Sequence, residues 1–123
     1  RSSMAPSIIT ARAGKLVLVT GSMGGGTLIA SAARSIIGVL DWKLTPQQAV
    51  ATPAMFARTA QIEVERTRMP AATSEALRQL GWDVVDSDLY SGTHVIHVTP
   101  EGLLGGADPR LEGTAVKLEV PWR

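Results

Sequence analysis

Leu16-Val17-Leu18-Val19-Thr20 is continuously apolar up to its final threonine. Such a run, without polar alternation, predicts a β-strand buried on both faces. A shorter β-rich stretch, Ser7 to Thr10, precedes it, and Ala13-Gly14-Lys15 supplies the turn between them. Gly21 to Gly26 then interrupts all regular structure. From Thr27 the period becomes helical: Ile29, Ala33, Ile36, Ile37 and Leu40 recur at spacings that share one helix face. A second, short helix is expected at Thr45-Pro46-Gln47-Gln48, where Thr45 caps, Pro46 suits the first helical position and Gln48 completes a capping box. Pro53 should end it.

Gln61 to Glu65 alternates polar and apolar, as a half-buried strand does. A third helix carrying Ala76, Leu77 and Leu80 is expected to be capped by Thr73 or Ser74 and stopped by Gly81. Trp82 to Val85, His94 to Val98 and Leu103 to Ala107 complete the strands, the last two joined by a turn at Pro100-Glu101-Gly102. Sheet and helix segments thus alternate without internal repeats. The fold class is α+β, in layers, with residues 1–123 forming a single domain or part of one.

Composition narrows the function classes. At 123 residues with 45% hydrophobic content the chain can bury a core, built from Ala, Val, Ile and Leu because only 4% is aromatic. A net charge of +1 gives no reason to propose nucleic acid or an anionic membrane as partner. The basic residues near Arg66 and Arg68 are interleaved with Glu63 and Glu65, which reads as a solvated face. Absence of cysteine excludes disulfides, thiolate metal sites and a cysteine nucleophile. The most apolar run, Ser35 to Leu40, is too short to span a bilayer. The chain starts at Arg1 rather than a start methionine, which reads as a fragment or processed chain.

Gly21-Ser22-Met23-Gly24-Gly25-Gly26-Thr27 is the segment richest in chemical content. Glycines between a strand and a helix let bare backbone approach a ligand and leave N–H groups free where the helix dipole favours negative charge. A phosphate or the oxyanion of an acyl-transfer intermediate would use such a turn. The P-loop spelling fails, since Thr27 follows Gly26 with no lysine; the dinucleotide fingerprint fails at Ile29. His94 and His97, three apart on a strand, point to opposite faces and do not share a metal. Asp108 and Arg110 are expected to pair as a turn-stabilising contact, and Trp42, Trp82 and Trp122 to pack.

Arg1-Ser2-Ser3-Met4-Ala5-Pro6, Leu18-Val19-Thr20-Gly21-Ser22-Met23-Gly24-Gly25, Asp41-Trp42, Gln48-Ala49-Val50-Ala51-Thr52-Pro53 and Gly105-Gly106-Ala107-Asp108-Pro109-Arg110 follow one another in the order found in γ-glutamyltransferases. The chain resembles the C-terminal part of the small subunit of that family, whose members are N-terminal-nucleophile hydrolases. The resemblance implies a portion of an αββα sandwich that this chain would not close alone. It also implies roles: Ser2 and Ser3 bind the α-carboxylate of the γ-glutamyl group, and the backbone N–H groups of Gly24 and Gly25 stabilise the tetrahedral oxyanion. The family's nucleophile is a threonine freed by self-cleavage, whose own amine serves as base. By resemblance it belongs upstream of the serine pair, outside this chain.

The implied function is cleavage and transfer of glutathione-type γ-glutamyl amides through a threonine acyl-enzyme, with no cofactor. The implied partners are a small γ-glutamyl substrate and the upstream part of the same precursor. The isolated chain should be inactive and should self-associate through a sheet edge or an apolar face, Leu16 to Val19 being the strand expected to lose neighbours. A periplasmic or secreted location is suggested by the resemblance alone. Met23 stands where the family often has Pro, Gly26-Thr27 where it has Ser-Arg, and Pro53-Ala54 where Pro-Arg is common. These departures leave the acyl donor open, and cephalosporin acylases and poly-γ-glutamate-cleaving relatives act on other amides. The competing readings are a non-catalytic anion-binding module and a structural fragment.

Overall fold

The computed structural model describes residues 3–57 and 59–116. In chain order the elements are β1 (Ser7–Thr10), β2 (Leu16–Gly21), a 3-10 turn (Gly25–Thr27), α1 (Leu28–Leu40), α2 (Pro46–Ala51), β3 (Met55–Ala57), β4 (Gln61–Glu65), α3 (Ala71–Gln79), β5 (Asp83–Ser87), β6 (His94–Thr99) and β7 (Gly102–Ala107). They form two compact units, one from the chain up to Ala51 joined by the chain from Ser91 onward, the other from Thr52–Tyr90. Among the described residues no helix is long and apolar enough to cross a membrane.

The first unit holds an antiparallel sheet in the order β1-β2-β6-β7. One sheet face packs against α1 and α2, with Leu18, Val39, Ala49, Val50 and Val95 at the centre of the core. Register places Ile8, Val19, Ile96 and Gly105 in one row across the sheet. That row lies opposite the buried row of Thr20 and Val95, because alternate residues of a strand face opposite ways. Ile8 is 72% and Ile96 45% exposed, so β2 is not covered on both faces by the described residues. Only Leu18 and Thr20 of its predicted run are buried.

The buried face of α1 is the expected one only in part: Ile36 and Leu40 pack half-buried against the core. Leu28, Ser31, Ala32, Ser35, Gly38 and Val39 are buried, whereas Ile29 and Ile37 are exposed. Small residues let this face come close: Ser35 and Thr20 share a hydrogen bond of 2.9 Å. Close approach thus outranks side-chain size in choosing the face. The capping box of α2 is present, Thr45 N–H donating to Gln48 Oε1 at 2.9 Å and Gln48 N–H to Thr45 Oγ1 at 3.3 Å. From the same helix the Gln47 amide pairs with edge strand β7, accepting from Ala107 N at 3.1 Å and donating to Ala107 O at 3.0 Å. This covers part of an otherwise open strand edge.

Such intimacy demands glycine at position 106. A Cβ there would lie 2.5 Å from the Pro46 carbonyl carbon and 2.7 Å from the Gln47 nitrogen, both backbone atoms. Gly106→Ala is therefore expected to destabilise the full-length protein by about 1–3 kcal/mol through overpacking. Chemical denaturation checks this; an unchanged midpoint would mean that α2 can move aside freely.

The second unit has the sheet order β3-β4-β5, with β4 and β5 parallel and α3 as the crossover between them. Ile62, Val64 and Val84 form its core, with Met69 and Leu77 against them. The short strand β3 falls where the sequence pattern predicts no element. The helix α3 begins at Ala71, capped by the extended backbone of Pro70, not by Thr73 or Ser74. Pro70 O accepts from Thr73 N at 2.9 Å, and Ser74 is buried instead of capping. The stop at Gly81 is as expected: φ is 88°, Gly81 N bonds Arg78 O and Trp82 N bonds Leu77 O, the Schellman pattern.

Two further expectations fail here. Glu65 is buried, accepting from Ala54 N at 3.0 Å and pairing with Arg68 at 3.2 Å, so it is not part of a solvated face. Arg66, by contrast, meets Asp88 in the open at 3.3 Å. Trp42 and Trp82 are more than half exposed and do not pack into either core, and Trp122 lies outside the described residues.

Candidate functional site

The glycine turn joins β2 to α1. The ladder carries β2 through Gly21, so regular structure persists one residue into the predicted break. Gly24 takes φ 127° and Gly25 φ 66°, a region that side chains rarely adopt. Gly24 and Gly25 are both exposed, and their N–H groups donate to no other described residue.

The carbonyls of this turn, however, are tied. Met23 O accepts from Gly92 N at 3.3 Å and from Ser22 Oγ at 3.1 Å, and Ser22 Oγ itself accepts from Thr93 Oγ1 at 2.9 Å. Gly24 O accepts from Thr27 Oγ1 at 3.0 Å. Gly25 O accepts from Leu28 N and from Ser3 Oγ, the latter at 3.1 Å. Carbonyl and N–H lie on opposite sides of a trans peptide, so tying Met23 O and Gly24 O directs the N–H groups of Gly24 and Gly25 the other way. Two adjacent donors held this way suit a developing negative charge, and the N-terminal end of α1 adds its dipole.

Ser3 is thus brought to the turn from across 22 residues of chain. Ser2 lies outside the described residues. Beside the turn, Pro6, Val19, Met23, Gly92, His94 and Ile96 line part of a shallow, largely apolar hollow of about 520 Å³. His94 Nδ1 lies 3.2 Å from Gly92 O, while His97 sits on the other face of β6. Among the described residues no three His, Cys, Asp or Glu side chains cluster as metal ligands do.

Behind the turn the Asp108–Arg110 pair is buried and closes at 2.9 Å, as expected of a turn-stabilising contact. Arg110 Nη1 also donates to Val50 O at 3.0 Å. Asp108 further accepts from the Ser91 hydroxyl, from Thr93 N at 3.4 Å and from Arg110 N at 3.0 Å. Burial pushes its carboxyl pKa up. The Ser91 hydroxyl, the Arg110 N–H and the Arg110 guanidinium outweigh that and hold it below its ordinary value. Residues 91–93 are therefore bound to Asp108 on one side and to Ser22 and Met23 on the other. Sequence reasoning missed Ser22, Thr27, Ser91, Gly92 and Thr93 as supports of the turn; the small polar cluster Ser91-Gly92-Thr93 just before a strand was the available signal.

Known proteins match this chain along nearly its whole length. The family model described as Gamma-glutamyltranspeptidase matches residues 1–118. Acylase ACY 1 proenzyme of Pseudomonas sp. strain SE83 is 30% identical over 119 residues, covering 95% of this chain and 21% of the relative. Glutathione hydrolase proenzyme of Escherichia coli K12 is 32% identical over 112 residues, covering 89% of this chain and 19% of the relative. Among solved structures, a γ-glutamyltranspeptidase variant from Pseudomonas nitroreducens superposes with a TM-score of 0.85 at 26% identity, covering 98% of this chain and 64% of that one. The chain spans about a fifth of the length of these curated relatives. Its mixed helices and sheets are a partial N-terminal-nucleophile hydrolase fold, in keeping with the α+β expectation.

Proposed function

Because the chain belongs to the γ-glutamyltranspeptidase family, we propose that it supplies half of an amide-cleaving active site to a longer precursor. The observation that carries this reading is the pair of outward N–H groups on Gly24 and Gly25, whose peptide planes are tied from behind. Ser3, next to that pair, would act with Ser2 on the α-carboxylate of a γ-glutamyl group, its one O–H turning from Gly25 O to the carboxylate when substrate binds and leaving Gly25 O to Leu28 N. The nucleophile is a threonine from the upstream part. Its Oγ adds to the amide carbonyl carbon, its proton passes to its own α-amine, and the carbonyl electron pair moves onto oxygen. The Gly24 and Gly25 N–H groups hold that oxyanion until it collapses, expelling the amine with the proton and leaving an ester. Water or an acceptor amine then attacks the ester and regenerates the threonine.

The open row Ile8, Val19 and Ile96 supports packing of this sheet face against the upstream part. By itself the chain lacks the nucleophile and is expected to turn over no γ-glutamyl amide, because binding groups alone retain only weak catalysis. It is also expected to self-associate through that face, which sedimentation would register. The test compares isolated chain and full-length protein on a γ-glutamyl anilide. Turnover by the isolated chain, insensitive to replacement of every threonine, would overturn this mechanism.

A second reading, an acylase acting on another amide, is favoured by the acylase relative at comparable identity. A glutaryl amide, which lacks the α-amine but keeps the carboxylate at the same position, separates the two. Preference for it over the γ-glutamyl amide by the full-length protein would move the assignment to the acylases, with Ser2 and Ser3 still facing a carboxylate.

A further inference from the structure

We propose that Thr27 is a positioning residue, whose hydroxyl aims the Gly25 N–H by holding the carbonyl at the other end of the same peptide plane. This rests on reading Gly24 and Gly25 as oxyanion donors. Gly24 C=O and Gly25 N–H belong to one trans peptide, so the direction of the first dictates the direction of the second. Thr27 Oγ1 donates to Gly24 O at 3.0 Å.

The placement of that hydroxyl argues for a specific task. Thr27 occupies the N-cap of α1, where a threonine side chain ordinarily accepts from an N–H of the first turn. Here it makes no such capping bond and reaches back into the glycine turn. Thr27 is 7% exposed while the glycines it holds are open. The hydroxyl therefore works from the protein side and leaves the other side of the plane to a ligand.

The neighbouring planes have their own ties, Met23 O to Gly92 N and Ser22 Oγ, and Gly25 O to Leu28 N and Ser3 Oγ. Thr27 is the side chain that reaches the plane between them. Without a Cβ on either side, a Gly-Gly peptide has wide rotational freedom, and a tether on its carbonyl removes that freedom before the charge develops.

The test uses the full-length protein, with Thr27→Val, Thr27→Ser and Gly25→Val compared on one γ-glutamyl anilide after self-cleavage is verified. Thr27→Val keeps the shape and removes the hydroxyl. A misdirected donor is expected to lower kcat on the order of 10- to 100-fold. KM for the donor should stay within about 2-fold, because the tether acts on a charge absent from the ground state. Affinity for a γ-glutamyl boronic acid, which forms a tetrahedral adduct, should fall by the same factor as kcat. Affinity for glutamate should not change. Thr27→Ser should restore most of the loss.

Should Thr27→Val fail to fold or to self-cleave, Thr27→Ala is put through the same kcat, KM and boronate comparison. Normal kcat in the hydroxyl-free variant alongside a large loss in Gly25→Val overturns the role of Thr27 and leaves the oxyanion assignment standing. Normal kcat in both overturns the two together. A loss in Thr27→Ser as deep as in Thr27→Val would mean that the methyl group matters, and the hydroxyl assignment falls.

Discussion

Gly25→Val in the full-length protein is expected to lower kcat on the order of 100- to 1000-fold, the usual loss when one oxyanion donor is removed. The effect comes from the backbone. A valine Cβ at position 25 meets open space, with nothing within 4 Å, so crowding by neighbours is not the cause. Its φ of 66° is the obstacle, because β-branched residues are genuine outliers there. Relaxing that strain rotates the peptide planes on both sides and turns the N–H away from the reacting oxygen. Ser3→Ala offers the contrast. Its hydroxyl is assigned to a carboxylate whose charge is the same before and during reaction, so its loss should raise KM for the donor with a smaller change in kcat. Steady-state kinetics with one γ-glutamyl donor, on variants that self-cleave, measure both. Near-normal turnover in Gly25→Val would return the segment to a structural turn.

Replacement of Asp108 should give the largest stability loss in the first unit. Asp108→Ala leaves the Arg110 guanidinium buried without its carboxylate and strands the Ser91 hydroxyl and the Thr93 N–H. Breaking a buried pair from one side costs about 3–5 kcal/mol. The loss should reach the site as well, since residues 91–93 also hold Ser22 and Met23. The pH dependence follows from the lowered carboxyl pKa. A carboxyl more acidic in the folded than in the unfolded protein contributes stability that is fully present above the unfolded value, about 3.9. That contribution disappears as pH falls through the lower folded value. Urea denaturation of the full-length protein between about pH 5 and pH 2 should therefore show an acid-dependent loss that is smaller in Asp108→Asn. Equal acid slopes in the two proteins would show that Asp108 is not the group responsible.

Local chemistry was legible where it closes over a few residues. Thr45 with Gln48, and Gly81 after α3, were readable because a cap or a stop is made by neighbours in sequence. Strands at Ser7–Thr10 and Gln61–Glu65 followed from composition and alternation over the same short range. The glycine turn stood out because consecutive glycines between a strand and a helix are rare without a backbone reason, and the serine pair acquired meaning only from its order relative to that turn.

What escaped had its cause far away in the chain. Apolar periodicity places only Ile36 and Leu40 of α1 correctly against the core, because close packing against Thr20 and Ala49 favours the small residues Ser31, Ser35 and Gly38. Glu65 looked like a surface charge until Ala54 N–H and Arg68 supplied partners for it. Sequence alone therefore determined the element types other than β3, the glycine turn and the family, all of which are written in short-range patterns or in the order of motifs. Tertiary structure decided which peptide planes are tied and from which side. Those ties join Thr93 to Ser22, Gly92 to Met23 and Ser3 to Gly25, and a hydrogen bond across such separations exists only once the sheet has brought its strands into register.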